Sequence, residues 1–175
     1  MRTPATLIDA VAFAAHKHRK QRRKDADASP YINHPIALTR VLLVEARVTD
    51  EKTLLAAVLH DTLEDTETTF DDLRERFGRK VAELVAEVTD NKSLPKARRK
   101  ALQIEHSPHL SKRAKLVKLA DKICNLRDVA AHSPHDWPLA RRRKYFDWAK
   151  AVIDGLRGAD RRLESLFDTA YAARP

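Results

Sequence analysis

Residues 58–65 read VLHDTLED, in which a His-Asp pair is followed one helical turn later by a Glu-Asp pair. On a continuous helix, residues four apart lie above one another, so Glu64 is expected over His60 and Asp65 over Asp61. An imidazole and several carboxylates packed this closely suit a divalent metal ion with a base beside it. The pattern indicates the centre of a metal-dependent hydrolase. The alternative is a helix end with a solvated acidic face, which the acidic residues further along would extend.

The composition favours helices. Only 3 of the 175 residues are glycine, against a usual share of about 7%, so few positions suit the tight turns and bulges of antiparallel sheets. A chain of this length is expected to form one domain, residues 1–175, and to bury roughly 70% of the surface that its unfolded form exposes. We therefore predict an all-α fold, a single-domain irregular helical bundle.

Caps, prolines and apolar spacing divide this bundle into helices. Thr3 before Pro4 is expected to open a helix that runs to about Gln21. The other helices are expected in this order: from Pro35, from about Asp50 to Asp61, over residues 71–77 and 80–90 with a break near Gly78, after Pro95, over residues 112–130, after Pro138 and after Gly158. Two helices have clear apolar faces. These faces comprise Ile36, Leu38, Val41, Leu42 and Val44 in one helix, and Leu116, Leu119, Ile123 and Leu126 in the other.

The cysteine content and apolar profile favour a cytoplasmic protein without a membrane partner. Cys124 is the only cysteine, and it lies in an apolar helical pattern where a buried, inert thiol is expected. The apolar stretch at residues 7–15 contains Asp9 and leads into basic residues, which argues against a signal peptide. No segment approaches the roughly 18 uninterrupted apolar residues that span a membrane.

The formal net charge of +9 indicates a polyanionic ligand, either nucleic acid or a phosphorylated small molecule. Basic residues cluster in four segments that either converge or scatter over solvated helix faces: 17–24, 96–100, 112–118 and 141–144. Aromatic residues make up 6% of the chain and do not interleave with these segments, as a base-stacking surface would require. Nucleic-acid binding is therefore the less favoured class.

Further metal ligands are expected at inward-facing positions. His34 precedes a proline at a helix entrance, where its backbone is held extended. Asp121 borders an apolar helix face and needs a partner. The alternatives are a capping or packing role for His34 and a helix salt bridge from Lys118 or Lys122 to Asp121. A set of two imidazoles and two carboxylates suits manganese, iron or zinc. Its members are His34, His60, Asp61 and Asp121.

The remaining histidines are assigned structural positions. The motif HSPH occurs at residues 106–109 and 132–135, and its proline prevents the helical spacing of a two-histidine ligand motif. His16 and His18 fall in the basic first helix and are expected on its solvated side.

The order of His34, His60, Asp61 and Asp121 along the chain resembles that of the metal ligands in the HD-domain metal-dependent phosphohydrolases. The segments LLAAVLHDTLEDTETT at residues 54–69 and HLSKRAKLVKLADKICNLRD at residues 109–128 resemble the hydrolase half of the RelA/SpoT alarmone enzymes. They are closer still to the stand-alone small alarmone hydrolases, and the resemblance covers about residues 5–167. It implies manganese-dependent removal of the 3′-diphosphate from guanosine tetra- or pentaphosphate, (p)ppGpp, giving GDP or GTP plus pyrophosphate, without synthesis.

The resemblance also implies residue roles. The four ligands match the family's metal site, and Glu64 and Asp65 match the pair that orients and deprotonates the attacking water. Substrate contacts are implied for Arg23, Lys24, Lys96, Asn125, Arg141 and Tyr145. Cys124 replaces a frequent aromatic residue, and Asp128 a small hydroxyl residue. Two other functions stay open: a phosphohydrolase of another phosphorylated nucleotide or cofactor, for example NADPH, and a basic helical nucleic-acid-binding protein.

Overall fold

The computed structural model describes residues 3–25, 27–132 and 136–175, and within these the fold is all-α, as predicted. The first five helices are α1 (Thr3–Lys17), α2 (Asn33–Arg40), α3 (Glu51–Leu59), α4 (Thr62–Asp65) and α5 (Phe70–Phe77). The others are α6 (Arg79–Val88), α7 (Lys96–His106), α8 (Lys112–Ala131), α9 (Leu139–Asp154) and α10 (Arg161–Ala172). A π-helical segment, Val41–Glu45, continues α2, and a 3-10 turn, Ser107–His109, follows α7. The side chain of Thr3, on which the predicted cap depends, and residue His135 lie outside what the structure describes.

Helices α3 and α8 lie at the centre of the bundle. α8 packs against α2, α3, α6, α9 and α10, while α3 also contacts α1, α2 and α6. The predicted apolar face of α8 is buried, with Leu119, Ile123 and Leu126 each 0% exposed. Burial of each such side chain contributes about 1.5–3 kcal/mol to folding. The segments that carry the predicted ligands therefore belong to these two central helices or, for His34, to α2, which packs against both.

The segment VLHDTLED is not one continuous helix, so that prediction is wrong. α3 ends at Leu59 and α4 begins at Thr62, which leaves His60 and Asp61 in the turn between them. His60 Nδ1 lies 2.9 Å from the carbonyl oxygen of Ala57, which the Asp61 amide would reach in a continuing helix. The Thr62 hydroxyl donates to the Leu59 carbonyl at 2.7 Å. Side chains thus form hydrogen bonds with carbonyl groups that would accept from backbone amides in a continuing helix.

Two boundaries near the N-terminus also differ from the predictions. α1 ends at Lys17 instead of Gln21, and His18 turns inward to 1% exposure, which contradicts its predicted solvated position. Its ring packs 4.8 Å from that of Tyr31 between ring centroids. α2 begins at Asn33, two residues before Pro35, because a proline in the first turn need not donate a backbone hydrogen bond.

The predicted apolar face of the second helix is only partly correct. Leu38, Val41 and Leu42 are buried, whereas Ile36 is 44% and Val44 60% exposed. The chain changes from α-helical to π-helical geometry over Val41–Glu45. This change rotates the later side chains relative to a regular repeat of 3.6 residues per turn.

Several other predictions are confirmed. The helix predicted from about Asp50 is α3, and in the structure Asp50 caps it by accepting from the Thr53 amide at 3.0 Å. Gly78 separates α5 from α6 at a φ of 87°, a backbone conformation that favours glycine. Cys124 is buried, and burial raises the pKa of its thiol to about 12, consistent with an inert side chain. No helix in the described part of the chain is long and apolar enough to cross a membrane.

Candidate active site

The four predicted metal ligands meet at the centre of the bundle. His34 comes from α2, His60 and Asp61 from the turn after α3, and Asp121 from α8. His34 Nε2 lies 3.2 Å from Asp121 Oδ1, and the two imidazole centroids are 5.3 Å apart. His34, His60 and Asp121 each offer one ligand atom, and these atoms all lie within 4.8 Å of one another. Three packed elements are thus needed to assemble this cluster.

Asp61 lies next to this group of three. Its Oδ2 is 2.8 Å from His60 Nε2 and accepts a hydrogen bond from the Tyr31 hydroxyl at 2.5 Å. Asn125 Nδ2 in turn donates to Asp121 Oδ1 at 2.6 Å. Both carboxylates are therefore oriented by neutral donors, as in sites where second-shell groups fix the metal ligands.

The donor set fits a divalent metal ion. Because a carbonyl oxygen only accepts, His60 Nδ1 is the donor to Ala57 O, so Nε2, which faces the Asp61 carboxylate at 2.8 Å, is the ring nitrogen that would bind a metal once it has lost its proton. Two imidazole nitrogens and two carboxylates form a mixed ligand set of the kind that manganese, iron and zinc accept. The residues could hold such an ion, which supports the prediction of a divalent metal site without identifying the metal.

The charges of the cluster shift the pKa values of its members. Burial by itself raises the pKa of Asp61, but the charge of His60 and its hydrogen bond reverse the shift and lower it. Burial likewise opposes ionisation of Asp121, but the charge of Lys122, together with the hydrogen bond and charge of His34 and the charge of His60, holds its pKa well below the usual value. Both carboxylates are therefore ionised at neutral pH.

The predicted general base lies in the same cavity as the ligands. Glu64 Oε2 accepts from the Asp90 backbone amide at 3.0 Å, and Arg99 Nη1 is 3.7 Å from Glu64 Oε1. Burial raises the pKa of Glu64, an effect that the hydrogen bond from Asp90 reduces without reversing. A carboxylate with a raised pKa is a stronger proton acceptor, which suits a general base. Asp65 also lines the cavity, and its carboxylate pairs with Lys92.

A second cavity adjoins the first and contains most of the predicted nucleotide contacts. It is lined by Arg23, Lys24, Asn125 and Tyr145, together with Trp137. Arg23 and Asn125 also line the ligand cavity, so the two cavities are adjacent parts of one cleft and share part of their lining.

The two remaining substrate candidates lie outside both cavities. Lys96 is exposed at the first turn of α7. The Arg141 guanidinium lies 4.3 Å from the centroid of Trp137 and 3.5 Å from the Asp136 carboxylate. Their predicted substrate contacts would therefore be made at the edge of the cleft.

Comparison with known proteins matches residues 10–146 to the HD domain. The chain belongs to the HD-domain family. The guanosine-3′,5′-bis(diphosphate) 3′-pyrophosphohydrolase MESH1 of Homo sapiens is 52% identical over 170 residues, 97% of this chain and 95% of that protein. The guanosine-3′,5′-bis(diphosphate) 3′-pyrophosphohydrolase of Aquifex aeolicus is 40% identical over 126 residues, 69% of this chain and 17% of that protein. The predicted family is confirmed.

A solved structure of an HD-domain relative has the same fold over nearly the whole length. It was described as "a metazoan ortholog of SpoT" that "hydrolyzes ppGpp", and it matches with a TM-score of 0.94 and 50% identity. The match covers 97% of this chain and 96% of that one. The arrangement of the ten described α-helices is therefore shared with a relative of known activity.

Sequence reasoning missed Tyr31 and Asp90 in this HD-domain site, and it left open which lysine pairs with Asp121. Tyr31 binds Asp61 and lines both cavities; its position three residues before His34 was the available signal. Lys122 donates to Asp121 Oδ2 at 2.9 Å, one of the two salt-bridge partners considered. Lys118 instead lies 3.9 Å from Asp90 Oδ1. Nothing in the local sequence of Asp90 indicates that its backbone amide holds Glu64.

Asp128, noted as a departure from the family pattern, has a clear place in this site. Its carboxylate pairs with the guanidinium of Arg23, and both line the nucleotide cavity. Arg23 also lies 5.9 Å from the centroid of the Tyr31 ring. Asp128 thus positions a predicted substrate contact and does not face the metal ligands.

Proposed function

We propose that this protein is a metal-dependent (p)ppGpp 3′-pyrophosphohydrolase, which converts guanosine tetra- or pentaphosphate to GDP or GTP plus pyrophosphate. The observation that carries the proposal is the cleft in which a ligand cluster and a partly buried base lie next to a nucleotide cavity. Relatives about half identical over nearly the whole chain are named for this reaction or described as performing it. A cytoplasmic location is part of the proposal and is supported by the single, buried cysteine.

In this proposal, His34, His60, Asp61 and Asp121 hold the metal, and Mn²⁺ is the ion that we propose. A bound divalent ion acts as a Lewis acid toward a phosphoryl oxygen and makes water a better nucleophile. Asn125 and Tyr31 keep the two carboxylates oriented toward the site.

Glu64 is proposed to take a proton from the attacking water, with Asp65 orienting that water. The water oxygen bonds to the phosphorus that carries the ribose 3′ oxygen, and the bond between that phosphorus and the 3′ oxygen breaks. The 3′ oxygen takes up a proton, and pyrophosphate leaves. The raised pKa of Glu64 supports the assignment because a stronger base transfers the proton more readily.

The nucleotide cavity is proposed to bind the guanosine part. Arg23, held by Asp128, offers a planar guanidinium that can stack on a purine. The ring of Tyr145 provides an aromatic wall, and Lys24 offers a charge for phosphate. Lys96 and Arg141 are proposed to add positive charge at the edge of the cleft.

The proposal is tested by stripping metal from the purified protein, restoring Mn²⁺ and measuring release of GDP and pyrophosphate from guanosine tetraphosphate. We expect release only with metal, and none from Asp61→Ala. Asp71→Ala is the matched control because Asp71 is 67% exposed and pairs with Arg74. Absence of release with every divalent metal would contradict the proposal and direct testing to other phosphorylated nucleotides, beginning with NADPH.

A further inference from the structure

Three aromatic side chains form a continuous series beside the cleft. The ring centroids of Trp137 and Tyr145 are 5.5 Å apart, and those of Tyr145 and Trp148 are 5.3 Å apart. We call these residues the aromatic ladder. Trp137 and Tyr145 line the nucleotide cavity, whereas Trp148 does not. The ladder therefore begins in the lining of the nucleotide cavity and extends beyond that lining at its Trp148 end.

Cations lie on this ladder. Lys122 Nζ is 4.7 Å from the centroid of Trp148. Lys100 Nζ is 4.3 Å from the same centroid and 5.3 Å from that of Tyr145. The Trp148 indole also donates to the Lys100 carbonyl at 3.1 Å, which ties α7 to α9 at this point. The position of Lys100 is thus fixed by contacts of both its backbone and its side chain.

The Lys100 ammonium lacks a counter-charge. Lys122 pairs with Asp121 at 2.9 Å, but among the described residues no carboxylate forms an ion pair with Lys100. Burial, followed by repulsion from Lys96, Lys122 and Arg141, lowers the pKa of Lys100. A partly buried cation beside other cations is unfavourable unless an anion is bound. The observation points to an anionic ligand at this end of the ladder.

The position of Lys100 indicates which anionic group binds there. Lys100 itself lines neither cavity, but its ammonium lies on the ring of Tyr145, which lines the nucleotide cavity, and shares the ring of Trp148 with Lys122, which lines the ligand cavity. It lies at the Trp148 end, away from Trp137, and its neighbour Lys122 contacts a proposed metal ligand. We propose that Lys100 binds the distal phosphate of the leaving pyrophosphate. This inference rests on the proposed function, because it assigns the leaving group of that reaction.

The test measures binding of inorganic pyrophosphate to the manganese-loaded protein by calorimetry, at a fixed concentration of free manganese. Lys100→Met keeps the aliphatic contact with the ladder and removes the charge. We expect pyrophosphate to bind about tenfold more weakly, as for loss of one charge-assisted hydrogen bond. Binding of GDP, which lacks the leaving group, is expected to be unchanged. Lys100→Arg is expected to retain pyrophosphate binding.

Lys80→Met is the matched control, since Lys80 is an exposed lysine of α6. Lys100→Gln replaces the first variant if Lys100→Met does not fold. Unchanged pyrophosphate binding in the charge-neutral variant would overturn the inference. Weaker binding of GDP with unchanged pyrophosphate binding would also overturn it, because the contact would then be to the 5′-diphosphate. Failure of the wild-type protein to hydrolyse guanosine tetraphosphate is a different result and would contradict the proposed function.

Discussion

At the scale of single residues, His60 has two effects because its two ring nitrogens have different partners. Nδ1 lies 2.9 Å from the Ala57 carbonyl, and this contact helps to end α3. Nε2 faces the Asp61 carboxylate at 2.8 Å. The side chain at the point where the helix is interrupted therefore also faces the ligand cluster through Nε2.

Glu64 provides the first prediction at this scale. We expect Glu64→Gln to retain manganese binding, because the residue lies outside the ligand set, and to lose at least about 100-fold in kcat, as for loss of a general base. Calorimetry measures manganese affinity, and steady-state hydrolysis of guanosine tetraphosphate measures kcat. Glu67→Gln is the control, since Glu67 is 71% exposed. A variant with the full rate would show that Glu64 is not the base.

Tyr31 provides the second prediction. Its hydroxyl holds Asp61 at 2.5 Å, so Tyr31→Phe removes an orienting donor and leaves the ring in place. We expect manganese affinity to fall by about 10-fold or more, as for other second-shell partners. Tyr171→Phe is the matched control, because its hydroxyl contacts Asp147 at 3.3 Å, away from the cleft. Equal manganese affinity in Tyr31→Phe and the wild type would contradict a role in orienting Asp61.

At the scale of secondary-structure elements, Asp50 connects two of the central helices. Its carboxylate caps α3 through the Thr53 amide at 3.0 Å, and Arg113 of α8 donates to it at 2.8 and 3.0 Å. The hydrogen bond from Arg113 is the main cause that lowers the pKa of Asp50, and burial opposes it without reversing it. One side chain thus fixes both the start of α3 and its orientation relative to α8.

Replacement of Asp50 should separate these two effects. Asp50→Ala removes both cap and ion pair, and we expect a loss of about 1 kcal/mol or more in the free energy of unfolding. Asp50→Asn keeps a capping residue and should lose less, since exposed ion pairs contribute about 0–1 kcal/mol. Urea unfolding at neutral pH measures both variants. Equal losses in the two variants would show that the cap contributes nothing beyond the ion pair.

The pH dependence follows from the lowered pKa of Asp50. A carboxyl whose pKa is depressed by folding stabilises the native state above its unfolded pKa, near 3.8. This contribution is lost as the pH falls through the folded value. We expect the stability difference between wild type and Asp50→Asn to shrink between pH 6 and pH 3. A difference that grows on acidification would contradict the assigned ion pair.

At the scale of the whole molecule, the metal site couples distant parts of the chain. Its ligands belong to α2, the turn after α3, and α8. Two ionised carboxylates are held inside the bundle, and their mutual repulsion is offset by Lys122 and the imidazoles. A cation bound between them would add a favourable interaction that the unfolded chain cannot form.

Metal removal should therefore lower the thermal stability of the whole fold. A ligand at about 100 times its Kd stabilises the folded state by about 2.7 kcal/mol, so we expect Mn²⁺ to raise Tm measurably and a chelator to lower it to the metal-free value. Differential scanning calorimetry measures the shift, and Asp61→Ala should show much less of it. A Tm that does not respond to manganese would argue against a metal held by the three elements together.

Much of the fold could be predicted from local signals. The low glycine content, the helix start near Asp50, the break at Gly78 and the apolar face of α8 depend on residues close together in sequence. The family followed from motifs around His34, His60 and Asp121. Helix boundaries were less accurate where a side chain competes for a backbone carbonyl, as His60 does.

The sequence by itself determined the helical class and supplied the residue types of the site, because periodicity, capping and ligand chemistry act over a few residues. Only the tertiary structure decided what those side chains meet. It placed Tyr31 on Asp61, Asp128 on Arg23, and Lys100 on the aromatic ladder. Such contacts join residues far apart in the chain, and they depend on the packing of α2, α7, α8 and α9, which no local pattern specifies.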